Sequence, residues 1–116
     1  MGDPEVIFIR VANRKNTREG RYVGRPTPLG NPYRVEAFGR EGAVRRYREW
    51  FSRVKGEGKI AQTLAALERE AERRKTLTLL CWCAPEPCHA EVVAEEIASR
   101  LERKGYRVEV HVDGRG

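Results

Sequence analysis

The run TLTLLCWC, residues 76–83, constrains this chain most, because only two of its eight positions are polar and both are threonine. Such a run favours an extended backbone, and a strand apolar at nearly every position has to lie inside a sheet. Directly after it come Pro85 and Pro87, then Ala90, Ala94, Ile97 and Leu101 at helical spacing, until Gly105 stops the pattern. Pro87 suits a first helical position, where its missing N–H is not needed. A buried strand feeding an amphipathic helix is the repeating unit of a parallel sheet.

The other elements agree. EVIFIRV, from Glu5, places apolar residues on both faces at Val6, Ile7, Phe8 and Ile9, as expected of a central strand covered on two sides. Val44, Tyr47, Phe51 and Val54 repeat at helical spacing, as do Ile60, Leu64, Leu67 and Ala71 after the KGEGK break. Trp50 and Phe51 are core by preference. Tyr106, Val108, Val110 and Val112 alternate with Arg107, Glu109, His111 and Asp113, the mark of a strand with one wet face. Strand, long loop, two helices, strand, helix, strand predicts a single α/β domain over residues 1–116. The expected form is a three-layer, Rossmann-like domain with a mainly parallel sheet and flanking helices. At 116 residues the chain has room for one core and not for two.

Residues 12–40 carry four Gly and three Pro, too irregular for a long helix and too long for an ordinary connection. Within them RYV, 21–23, suits a short edge strand. Pro26, Pro28 and Pro32 stiffen the remainder, and Gly24 and Gly30 permit sharp turns, which describes an ordered binding loop. In open parallel sheets ligands bind beyond the carboxyl ends of the strands, where loops lead into helix N-termini. The first strand ends at Asn13, Arg14 and Lys15, and the apolar one ends at Cys83 to His89. If those strands are neighbours, both segments face one crevice.

Charge is concentrated at the same place. The chain has 23 Lys plus Arg against 17 Asp plus Glu, a formal +6. Residues 10–25 hold Arg10, Arg14, Lys15, Arg18, Arg21 and Arg25 against Glu19 alone. That excess suits a phosphate-bearing partner, a nucleotide or a nucleic-acid backbone, against the plainer reading of a solvated loop. Arg and Glu interleave on the helices, as in Glu68, Arg69, Glu70, Glu72, Arg73 and Arg74, which points there to surface ion pairs. Eighteen of the basic residues are Arg, and only one Gln and three Asn occur, a bias shared by thermophilic sources and GC-rich genomes. No run approaches the ~18 apolar residues of a membrane span, and acids precede the first apolar stretch, so a cytoplasmic protein without membrane contact is expected.

CWCAPEPCH, 81–89, gathers three Cys and one His at one strand-to-helix junction. Three cysteines cannot all pair within one chain, so thiol or metal chemistry is favoured over a disulfide framework. In one reading Cys88 or His89, with Cys83, works at a helix N-terminus, where unpaired amides lower a thiol's pKa and attract anions. In a second, Cys81, Cys83, Cys88 and His89 bind zinc. Spacing argues against that, since Cys81 and Cys83 lie roughly 6.5 Å apart on an extended chain and the adjacent Cys88 and His89 diverge. In a third the thiols are small buried hydrophobes, Cys81 above all. Cys83 and His89 have the six-residue interval at which phosphatase-like loops place Cys and Arg, but His stands in place of Arg, and Pro85 and Pro87 remove two amides from the cradle. Trp82 either packs inward or offers a stacking face to a base.

RYVGRPTPLGNPY at 21–33 and LLCWCAPEPCHAEVVAEEI at 79–97, with YREWF at 47–51 between them, resemble domain-of-unknown-function family 4326, small proteins of phages and prokaryotes. The resemblance covers nearly the whole chain. It implies a small α/β domain in which Gly24, Arg25, Leu29, Gly30, Asn31, Pro32, Cys81, Cys83, Cys88 and His89 occupy motif positions. Where that family commonly has Cys-His-Gly-Asp, this chain has Cys88, His89, Ala90 and Glu91.

These readings combine into one expectation. A nucleotide-like or other phosphorylated ligand binds between the basic loop and the Cys-His helix start. Arg25 and Lys15 contact phosphate, Asn13 and Asn31 orient loop or ligand, and Gly24, Thr27 and Gly30 complete the ligand-binding set. Cys88 and His89, with Cys83, are the reactive groups for a transfer or hydrolysis, His89 as general acid or base. No flavin or nicotinamide fingerprint is present. The alternative is a non-enzymatic module that binds nucleic acid, with structural or zinc-bound cysteines. Oligomeric state is not legible.

Overall fold

The structure, a computed structural model, describes residues 5–115. It contains β1 (Val6–Asn13), β2 (Arg21–Tyr22), α1 (Val35–Phe38), α2 (Arg40–Val54), α3 (Gly58–Arg74), β3 (Thr76–Cys81), α4 (His89–Arg103) and β4 (Arg107–Val112). The four strands form one sheet in the order β2-β3-β1-β4, and every pairing is parallel. The α/β class with flanking helices is therefore as the sequence predicts, and RYV does yield the edge strand β2. No described helix is long and apolar enough to cross a membrane.

Register explains where the core sits. Ile9 is opposite Leu77 and Val110, and Val11 opposite Leu79 and Val112, so these residues share one face. Ile7, Ile9, Val11, Leu77 and Leu79 are fully or almost fully buried there. Against them pack Leu64 and Ala71 of α3 and Val93, Ala94, Ile97 and Leu101 of α4, whose spacing puts each set on one side of its helix. Burial on this scale, roughly 1.5–3 kcal/mol per large side chain, is the main favourable contribution to folding. The expected Arg/Glu pairing joins the helices: Glu68 holds Arg100 and Lys104, and Lys104 also reaches Glu72.

The second face differs from the expectation for β1. Phe8 points there and is 54% exposed, and Arg10 beside it is exposed and held in a two-pronged ion pair by Asp113. Cover on that face comes at the carboxyl end of the sheet from the loop after β1, where Gly20 closes on Thr78 and Leu80. The reason is topological. β2 lies at the far edge, so both helical crossovers, β2 to β3 and β3 to β4, step across the sheet in the same direction, and right-handed connections then put α3 and α4 on the same face. An apolar count along EVIFIRV cannot distinguish this arrangement from a doubly covered strand.

Candidate functional site

The two strand ends predicted to face one crevice are neighbours, since β1 pairs with β3 and Asn13 is opposite Cys81, but they open into different hollows: Cys83, Cys88 and His89 line one cavity, and Arg14 and Lys15 line a groove beside it. After Cys81 the chain turns over the sheet edge through Trp82 and Cys83. Asn13 fixes this turn: its side-chain amide donates to the carbonyls of Trp82 at 3.1 Å and Ala84 at 3.0 Å, while its Oδ1 accepts from Lys15 N–H at 2.9 Å. Asn13 thus orients the loop and does not line the cavity. The helix begins later than the proline suggests. Cys88 is the extended residue before α4, and the Glu91 carboxylate accepts its N–H at 3.0 Å, so His89, not Pro87, is the first helical residue. Glu91 is held in turn by Arg115, at 2.6 Å.

The 23–33 segment is ordered by its own hydrogen bonds. Val23 N–H donates to Leu80 O at 3.1 Å, and Thr27 N–H and hydroxyl both donate to Gly24 O, at 2.9 and 2.6 Å. Asn31 donates to Ala43 O of α2 at 3.1 Å and accepts from Tyr33 N–H at 2.8 Å. Buried Tyr47 donates to Leu29 O at 2.7 Å. Gly30 allows a close approach, since a β-carbon there would lie 2.8 Å from both Cα and N of Arg25. The short helix α1, hidden in this irregular stretch of sequence, leads through Gly39 at φ 73° into Arg40, the first residue of α2.

A cavity of about 320 Å³ lies between these segments. Gly24, Arg25, Asn31, Cys83, Cys88 and His89 of the predicted residues line it, together with Tyr22, Tyr33, Arg40 and Trp82. Besides Asn13, three of the residues predicted to bind ligand lie elsewhere. Lys15 is in a separate open groove, Thr27 faces another hollow beside α3, and Gly30 acts through Arg25. The cavity receives the first residues of two helices, Arg40 of α2 and His89 of α4, and therefore the positive ends of both dipoles.

Arg40 is the residue that sequence reasoning missed. Its Nη1 is buried without a hydrogen-bond partner among the described residues, and its guanidinium stands beside the Cys83 thiol. The protonated Cys88 thiol nearby, with Arg40, draws Cys83 down to about 6 against the opposing effect of burial. Cys88 itself is 1% exposed and strongly raised, first by the neighbouring Cys81 and Cys83 sulfurs and then by burial. Of the two thiols at the cavity, half-buried Cys83 is the one poised as thiolate. His89 Nε2 lies 2.8 Å from Val23 O, an atom that can only accept, so Nε2 carries the proton and Nδ1, 3.6 Å from Cys88 Sγ, is the unprotonated nitrogen. Burial, and to a smaller extent Arg25, pushes His89 below its ordinary pKa and keeps it neutral. The four side chains weighed as zinc ligands divide accordingly: the thiols gather, while His89 commits Nε2 to the backbone.

Fold and site together define a small parallel α/β domain with a thiol, imidazole and guanidinium cavity at the carboxyl edge of its sheet. The chain belongs to the family described as Domain of unknown function (DUF4326), whose model matches residues 9–99, a span that includes every candidate site position from Asn13 to His89. It is similar to the uncharacterized 12.4 kDa protein in the nrdA-td intergenic region of Enterobacteria phage T4, 29% identical over 100 residues that cover 86% of each chain. No solved structure matches it.

Proposed function

We propose that this chain binds a nucleotide-like or other phosphorylated ligand in the Cys83–Arg40 cavity and uses Cys83 as nucleophile for a transfer or hydrolysis. The observation that carries this reading is the unpartnered Nη1 of Arg40. A buried guanidinium N–H without an acceptor costs several times what an ordinary hydrogen bond contributes, and an anionic oxygen in the cavity would satisfy it. Arg25 adds a second cation on the wall, and two helix N-termini add partial positive charge without further side chains. Asn31, held between Tyr33 N–H and Ala43 O, sets the loop that carries Arg25.

The chemistry follows from the protonation states. Cys83 thiolate attacks the electrophilic centre of the bound group, and the leaving group departs with the bonding pair. Neutral His89, through Nδ1, accepts the proton of the water that later displaces the thiol. Cys88 stays protonated and, with Arg40, favours the thiolate form of Cys83. Isothermal titration with inorganic phosphate and adenosine 5′-monophosphate tests the binding step. Single-site binding that weakens at least ~10-fold in Arg40→Ala is expected, the loss of one charge-assisted contact. Absence of binding by either probe to the folded protein overturns the reading. Native mass spectrometry of fresh, reduced protein adds a second check: a bound zinc that disappears in Cys83→Ser would replace the thiolate by a metal site.

A further inference from the structure

The groove that holds Lys15 lies beside the cavity and shares two of its walls, Tyr22 and Trp82. It is an open hollow of about 890 Å³ roofed by the loop that follows β1. Trp82 is 51% exposed, yet its indole is fixed in place: Nε1–H donates to Tyr22 Oη at 3.1 Å, and the two rings meet edge to face at 6.4 Å. The Arg14 guanidinium lies over both rings, 4.7 Å from the Tyr22 centroid and 5.6 Å from that of Trp82. The charge of this region is more selective than its sequence suggests. Arg10 is neutralised by Asp113 and Arg21 by Glu70, whereas Arg14, Lys15 and Arg18 have no carboxylate partner among the described residues. Three cations without a carboxylate partner among the described residues thus line a groove beside the half-exposed Trp82 and the less exposed Tyr22.

We infer that the groove is the track of a single-stranded nucleic acid whose terminal nucleotide occupies the cavity, so that the substrate class of the site is the end of a polynucleotide strand. This rests on the cavity reading above. An unpaired base can stack on Trp82, which a base inside a duplex cannot, and the phosphates that follow run past Arg14, Lys15 and Arg18. A free nucleotide in the cavity would leave the three cations of the groove without an anion.

The test is titration calorimetry with thymidine 5′-monophosphate, an eight-residue oligothymidylate bearing a 5′-phosphate, and the same oligomer annealed to its complement. The oligomer is expected to bind at least ~10-fold more tightly than the mononucleotide, because a stacked base and added phosphates contribute. Its affinity should fall with salt at a log–log slope about 2 units steeper than that of the mononucleotide, the value for three further phosphates on a single strand. Trp82→Ala should weaken the oligomer about 10-fold. Arg14→Ala/Arg18→Ala should weaken it and flatten the salt slope, leaving the mononucleotide unchanged. An oligomer bound no more tightly than the mononucleotide, or a tighter one indifferent to both variants, overturns this inference and leaves the cavity reading standing. Equal or tighter binding of the duplex overturns it in favour of backbone recognition without stacking. If neither mononucleotide nor oligomer binds, the cavity reading fails and this inference falls with it.

Discussion

His89 Nε2–H donates to the backbone carbonyl of Val23 at 2.8 Å, joining the first turn of α4 to the residue where β2 opens into the 24–33 loop. Tyr47 packs edge-on against the same imidazole at 5.1 Å, so the ring is clamped between α2 and the loop. Removing it in His89→Ala leaves Val23 O unpaired in a buried place, a loss of about 2 kcal/mol. The pH dependence has a definite sign. Burial holds folded His89 below its ordinary pKa, so its stability contribution is complete above about 6.5. Below that value the unfolded chain takes up the proton first, and the contribution is lost as pH falls through the folded value. Urea unfolding between pH 5 and 8 should show a wild-type decline on the acid side that is shallower in His89→Ala; parallel curves would contradict the assignment.

Cys83 should be the fast-reacting thiol. With the protonated Cys88 thiol and Arg40 drawing it down to about 6, it is thiolate at neutral pH, whereas an ordinary cysteine near 8.5 is mostly protonated. Iodoacetamide labelling located by peptide mass spectrometry should place the first alkyl group on Cys83, at a rate that levels off above pH 7. Arg40→Ala should move the inflection upward. First labelling at buried Cys88 would reverse the assignment of the nucleophile.

Asn13→Ala deletes both donors that hold the carbonyls of Trp82 and Ala84. The expected cost is about 2–3 kcal/mol in urea unfolding, since two carbonyls in a largely buried turn lose their partners together. Asn13→Asp should be at least as damaging, because it puts a carboxylate against those same carbonyl oxygens. A neutral Asn13→Ala would mean that the Cys turn is held by other contacts.

Gly30→Ala brings a methyl within 2.8 Å of the Arg25 backbone. Because the opposing atoms are main chain, the loop must shift, at about 1–3 kcal/mol. Arg25 moves with it, so phosphate affinity should fall together with the unfolding midpoint; loss of stability with intact affinity would separate Arg25 from the site.

The elements with a single strong period were legible in the sequence, and the site only in part. Val44, Tyr47 and Phe51, or Ala94, Ile97 and Leu101, report their own burial because the helix repeats the same environment every turn. The α1 segment, VEAF, has no such period and vanished into the Pro- and Gly-rich stretch. Cys83, Cys88 and His89 declared themselves by type and proximity. Arg40 did not, because it is one of eighteen arginines and lies 43 positions before Cys83 in the chain. The single available signal was its place after Gly39 and just ahead of the Val44 helix, since helix starts in such folds face the ligand. The charge excess over 10–25 was legible, but Asp113 and Glu70, which neutralise Arg10 and Arg21, come from distant segments that only the folded sheet brings near.

The central position of β1 has a consequence for synthesis of the protein. Its two neighbours are β3, residues 76–81, and β4, residues 107–112, both far downstream. A nascent chain therefore emerges from the ribosome with VIFIRVAN unpaired on both edges until β3 and then β4 have followed it out. Docking must wait for both of those strands, and the interval during which a bare apolar strand is open to chaperones or to other chains grows with every pause over the intervening codons.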